Sequence, residues 1–276
     1  FHCEDYISRA SITATMTNIP HLKTIQTEII DHVGWLRYAR APVNAFSWEM
    51  LHETRAAYDA LETHDDVRVI IIGSAIDSHM STGADLTVFA DATPEEMQTW
   101  VADCHALAMA MRSGTKPILA AIKGVAVGGG LEICLHADLR FADAGAKLGQ
   151  PEINIAFIPP VAGTQALPRL VGRSAAFQML YSGEVMSAEK ALSIGLIDTI
   201  SALGGVDKDV QTYAANLAKR PANTLTAIRR CLIDGGSTDF RSGMEIEADQ
   251  AGRLAADPNF KEGIDAFLAK RKPNWR

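Results

Sequence analysis

The sequence predicts an α/β fold in which buried sheets alternate with helices, closed by a helical C-terminal region. Three observations carry this. Val67–Gly73 and Pro117–Ile122 are continuous apolar runs, the form expected of strands covered on both faces. Each run leads into a glycine-bearing loop and then a helical segment, so the unit of strand, loop and helix occurs twice. From about residue 205 the chain is amphipathic at helical spacing to its end, with no strand candidate.

The elements follow in order. Thr27–Ile30 and Val33–Tyr38 are short β-type runs separated by Asp31-His32, which predicts an antiparallel hairpin. Residues 47–62 predict a helix, with Ser47 as its N-cap and an Ala-rich interior poor in β-branched residues, stopping near His64-Asp65-Asp66. A loop with Gly83 follows the first apolar strand. Thr93-Pro94-Glu95-Glu96 then supplies an N-cap, a proline at the first helical position and a glutamate at the third. Met97, Trp100, Val101, Cys104, Leu107, Ala108 and Met111 recur at helical spacing, and Met109 and Met111 read as packing residues. Gly124 and Gly128–Gly130 form the second glycine loop, and Leu131–His136 begins the helix after it.

At 276 residues the chain is near the size where one core stops growing, so one main domain with an appended subregion is expected. We read 16–204 as the α/β core and 205–276 as a helical region packing on the core or on a neighbouring subunit. Residues 1–15, ahead of Met16, are set aside as a non-native or disordered segment without a secretory-signal pattern. No segment approaches the roughly 20 apolar residues of a membrane helix. The formal charge of −7 argues against a nucleic-acid surface or an anionic membrane as partner. Cys3, Cys104, Cys134 and Cys231 are scattered without metal-ligand or disulfide spacing, so they read as core thiols of a cytoplasmic protein.

The chain has no GxxxxGK[ST], GxSxG, HExxH or GxGxxG, which removes the usual support for P-loop, serine-hydrolase, zincin and dinucleotide readings. Two glycine loops remain. A glycine turn between a buried strand and a helix leaves main-chain N–H groups free at the positive end of the helix, so it can hold developing negative charge. Gly128-Gly129-Gly130-Leu131-Glu132 has this form, and Ser81-Thr82-Gly83-Ala84-Asp85 offers a second loop. Taken singly, the glycines are accounted for by tight turns, Glu132 by the preference of carboxylates for a helix start, and Glu152 by an exposed position after Pro151. His136, four residues after Glu132, shares its helical face and raises an acid–base pairing.

Together, ARAPVNAF (39–46), MSTGADL (80–86), KPILAAIKGVAVGGGLEICLHADLRFA (116–142), LGQPEINIAFIP (148–159), GTQALPRLVG (163–172) and FKEGIDAFLAKRKPNW (260–275) resemble the crotonase (enoyl-CoA hydratase/isomerase) family across roughly 24–276. The resemblance implies a spiral of ββα units with a helical C-terminal region, assembled as a homotrimer or a dimer of trimers. It implies a main-chain oxyanion hole from Ala84 and Gly129, with Glu132 orienting and deprotonating water and Glu152 exchanging the Cα proton. Coenzyme A enters as part of an acyl-CoA substrate, with no metal and no redox cofactor. The resemblance places it along Ala41, Pro42, Thr82, Asp85 and Leu86, with Lys270 approaching its phosphates. A basic patch near a helix end accounts for Lys270 equally well. The implied reaction is hydration of an enoyl-CoA; isomerisation, decarboxylation, C–C hydrolysis and a non-catalytic RNA-binding relative are the alternatives.

One segment departs from the family pattern. Where family hydratases read IPGAGGTQ, this chain has Ile158-Pro159-Pro160-Val161-Ala162-Gly163-Thr164-Gln165. Pro160 has no N–H to offer a water, and Val161 adds bulk, so the water side and the acyl pocket are expected to differ.

Overall fold

The computed structural model describes residues 22–275. The segment 1–15, Met16 and Cys3 lie outside it. The chain opens with β1 (Ile25–Ile30) and β2 (Val33–Tyr38), paired antiparallel, with Asp31 and His32 both at positive φ in the two-residue turn. Positive φ at both turn residues matches the twist of the hairpin strands. Then come α1 (Trp48–Thr63), β3 (Val69–Ser74), β4 (His79–Ser81), α2 (Leu86–Phe89), α3 (Pro94–Ser113), β5 (Ile118–Ile122), β6 (Val125–Val127), α4 (Gly129–Leu135), β7 (Leu139–Asp143) and β8 (Lys147–Gly149). A 3₁₀ turn over Glu152–Ile155 leads to α5 (Gly163–Val171), α6 (Arg173–Ser182), β9 (Val185–Ser187), α7 (Ala188–Ser193) and β10 (Thr199–Ser201). The last described elements are α8 (Val206–Leu217), α9 (Ala222–Ile233), α10 (Phe240–Ala255) and α11 (Pro258–Leu268).

The strands form two sheets, β1-β2-β3-β5-β7-β10 and β4-β6-β8-β9. In β3, Ile70 and Ile72 face one core, and Val69 and Ile71 face another closed by Val206, Val210 and Ala214 of α8. Cover on both faces is why this strand reads as an unbroken apolar run. The predicted capping is present: the Ser47 side chain accepts from Met50, and Thr93 and Glu96 form a reciprocal capping box. Met109 corrects the packing expectation. It is 61 % exposed on α3, whereas Met111 is fully buried, because the two lie on different faces of the helix. Cys104 and Cys134 are buried, and Cys231 is only partly so. Among the described residues no helix is long and apolar enough to cross a membrane.

Candidate active site

Strands β4, β6 and β8 are parallel neighbours, so the loops after them leave the small sheet at the same end. The first loop carries Ala84, the second Gly129 and the third Glu152. Gly83, at φ +83°, lets the first two loops meet: a Cβ there would stand 3.3 Å from the Gly129 nitrogen and 3.1 Å from the Val127 carbonyl oxygen. Gly130 packs as closely on the end of β4, where a Cβ would come within 2.6 Å of the Ser81 Cβ. Only glycine permits these approaches.

Ala84 bridges Phe46 in parallel, but the bonds of that bridge use Gly83 O and the Asp85 N–H. Gly129 is the first residue of α4, so its N–H has no acceptor within the helix. Neither N–H meets an acceptor among the described residues. The two unspent donors lie on adjoining loops, the arrangement an oxyanion needs.

Glu152 begins its 3₁₀ turn buried, and burial pushes its carboxyl up to about 7. With its nitrogen turned toward Glu152, the buried Gln150 amide donates to Oε1 and Oε2, both at 3.1 Å. Glu132 is 0 % exposed in the first turn of α4. Its Oε1 accepts the Val161 N–H at 2.8 Å and the Gly163 N–H at 2.9 Å, while Oε2 is buried with no partner among the described residues. Burial first and the Glu152 charge second hold the Glu132 carboxyl well above the usual range, against the two N–H bonds. His136 caps the end of the same helix but does not pair with Glu132. Its Nε2 donates to Val161 O at 2.7 Å, and burial lowers the ring to about 4, so it is neutral.

Ala84, Gly129 and Glu152 border a cavity of about 580 Å³ whose wall also includes Thr82, Gly83, Leu86, Pro160 and Val161. Its apolar side is formed by Phe46, Leu51, Phe89, Met97, Trp100, Cys104 and Ile133. No Lys, Arg or His among the described residues lines it. Glu152 is on the wall, whereas Glu132 stands behind Val161, its Oε1 spent on the loop that the sequence marked as divergent.

The remaining expected residues are placed less uniformly. Thr82 and Leu86 line the cavity. Asp85 caps α2 and pairs with Arg40 at 2.7 Å, so it ties the 39–46 segment to the first loop. Ala41 and Pro42 are exposed on that segment, joined by a cis peptide bond. Lys270, exposed and at φ +53°, follows α11 and is not on the cavity wall. Sequence reasoning missed Gln150, Phe157 and the grip of Glu132 and His136 on Val161. Gln150 had no periodic signal, because Pro151 at φ −87° and ψ 10° breaks the extended chain between it and Glu152.

The fold and site define a class, and comparison names it. A sequence profile described as enoyl-CoA hydratase/isomerase matches residues 31–276, so the chain belongs to the enoyl-CoA hydratase/isomerase family. It is 34 % identical over 261 residues to a probable enoyl-CoA hydratase of Bacillus subtilis, covering 92 % of this chain and 99 % of that protein. It is 33 % identical over 233 residues to the crotonyl-CoA hydratase of Syntrophomonas wolfei, covering 84 % and 90 %. The crystal structure of an enoyl-CoA hydratase from Geobacillus kaustophilus superposes with a TM-score of 0.90 at 28 % identity, covering 93 % of this chain and 98 % of that one.

Proposed function

We propose that this chain is an enoyl-CoA hydratase that adds water across the 2,3 double bond of an enoyl-CoA thioester with a neutral, apolar acyl group. One observation carries the reading: two unspent N–H groups and a carboxyl raised by burial meet at one end of three parallel strands, on one apolar cavity. The Ala84 and Gly129 N–H groups hold the thioester oxygen and make C3 electrophilic. In this reading a water admitted past Val161 donates to Oε2 of Glu132, the oxygen without a partner, and a third hydrogen bond there would favour the charged form against the burial that raises this carboxyl. With Glu132 charged, the one proton that this reading assigns to the pair rests on Glu152, whose carboxyl burial also raises.

Water oxygen bonds to C3 as Glu132 takes its proton, and the π electrons move through Cα onto the thioester oxygen. Glu152 delivers its proton to Cα, so the pair again holds one proton and one water has been added. The chemistry needs only these groups, and coenzyme A arrives with the substrate. Thr82 and Leu86 border its path in this reading, with Ala41, Pro42 and Asp85 along the adjoining segment and Lys270 reaching its phosphates from the C-terminal end. Exposed Phe240, Phe267 and Leu268 on the terminal helices suit a homotrimer or dimer of trimers. Buried free thiols suit a reducing cytoplasm.

A second reading, double-bond isomerisation, is favoured by the position of Glu132 behind Val161 and by the missing N–H of Pro160. Isomerisation needs one carboxyl to move a proton, and Glu152 supplies it. Incubation with trans-2-enoyl-CoAs of several lengths, read by product mass, separates the two: hydration adds one water, and isomerisation leaves the mass unchanged. Absence of any 3-hydroxyacyl-CoA refutes the first reading.

A further inference from the structure

Beside the catalytic cavity lies a second one of about 470 Å³, between the 150–159 segment and α6. The two cavities share Glu152 and Phe157 as wall residues. Phe157 leaves the 3₁₀ turn just after Ala156, which is held left-handed at φ +56°, and its N–H donates to Glu152 O at 3.1 Å. The turn thus carries Phe157 and Glu152 together to the boundary between the two cavities. The second cavity is apolar for most of its surface, with Ile153, Ala176, Phe177 and Leu180 among its walls. Phe157 itself is 36 % exposed, so the ring is only loosely packed between the two spaces.

We propose that the Phe157 ring sets the acyl chain length of the enzyme, as the partition between the catalytic cavity and an apolar extension that longer chains enter when the ring is shortened. This rests on the reading of the first cavity as the acyl site. It goes further by naming the residue that limits the chain and the space beyond it. A methylene that enters apolar surroundings gains about fourfold in affinity, and one that meets a wall gains nothing. Affinity against chain length therefore rises and then reaches a plateau where the chain meets the ring.

The test is calorimetric binding of saturated straight-chain acyl-CoAs of increasing length, which needs no turnover. The wild-type chain is expected to plateau, and Phe157→Ala to keep rising by about fourfold per methylene past that length. Leu180→Trp, which fills the second cavity, should restore the plateau in the Phe157→Ala background. A plateau at the same length in wild type and Phe157→Ala overturns the proposal. So does an extended rise that Leu180→Trp leaves untouched, since the chain then runs elsewhere. Phe157→Leu carries the same test where the alanine variant does not fold. Loss of hydratase activity from the wild type would remove the functional reading alone, because binding is measured independently.

Discussion

Oε1 of Glu132 accepts the main-chain N–H of Val161 at 2.8 Å, so a carboxyl of the site also fastens the loop that forms its wall. His136 grips the carbonyl of the same residue at 2.7 Å, so Val161 is held through both of its main-chain groups, from the start and the end of α4. The two roles of Glu132 separate by substitution. Glu132→Gln keeps an oxygen for Val161 and Gly163, so its Tm should stay within a few degrees of wild type while kcat falls by ~10²–10³. Glu132→Ala leaves both buried N–H groups without an acceptor and should cost about 2–4 kcal/mol in urea unfolding. Equal stability of the two variants would contradict this account of the loop.

Glu152 makes stability depend on pH in a fixed direction. Its folded carboxyl lies at about 7 against 4.5 for the free group. Between those values the folded chain holds a proton that the unfolded chain has lost, so this group's contribution to stability falls as pH rises through the window. Glu152→Gln removes the penalty. The variant should exceed wild type by on the order of 2 kcal/mol at pH 8, allowing for partial solvation, and match it near pH 4. Parallel stability curves would show that the carboxyl is not raised.

Gln150 opposes that rise, because its amide donates to the charged form of Glu152. Replacing it with leucine should move the Glu152 titration upward by about one unit, read by carboxyl infrared difference against Glu152→Gln. An unmoved titration would remove Gln150 from the site.

The cavity wall sets a limit on substrate charge. With no Lys, Arg or His among its described residues, it offers no partner to a carboxylate on the acyl group, and an unpaired buried charge costs several kcal/mol. The value of kcat/KM should be at least ~10²-fold lower for an enoyl-CoA bearing an acyl carboxylate than for its neutral isostere. Comparable values would place an unseen cation at the site.

Local signals made much of the fold legible. The capping box at Thr93 and Glu96, the cap at Ser47 and the turn at Asp31-His32 depend on neighbouring residues alone, and each forms as its sequence predicts. The small sheet was not legible, because β4, β6, β8 and β9 have three residues each, too few to show a period. Its topology is what gathers Ala84, Gly129 and Glu152. The grip of Glu132 on the 161–163 loop was hidden because it joins residues far apart in the chain. A sequence shows that Pro160 lacks an N–H, but the use of the Val161 N–H follows only from how the loop folds back on α4.

In the proposed function this cavity adds water under the control of Glu152. The most direct measurement is the mass of the product from a neutral trans-2-enoyl-CoA incubated in water labelled with heavy oxygen. Wild type is expected to form a 3-hydroxyacyl-CoA carrying one labelled oxygen, and Glu152→Gln to form at least ~10²-fold less of it. A product of unchanged mass, or equal labelling by both proteins, would contradict it.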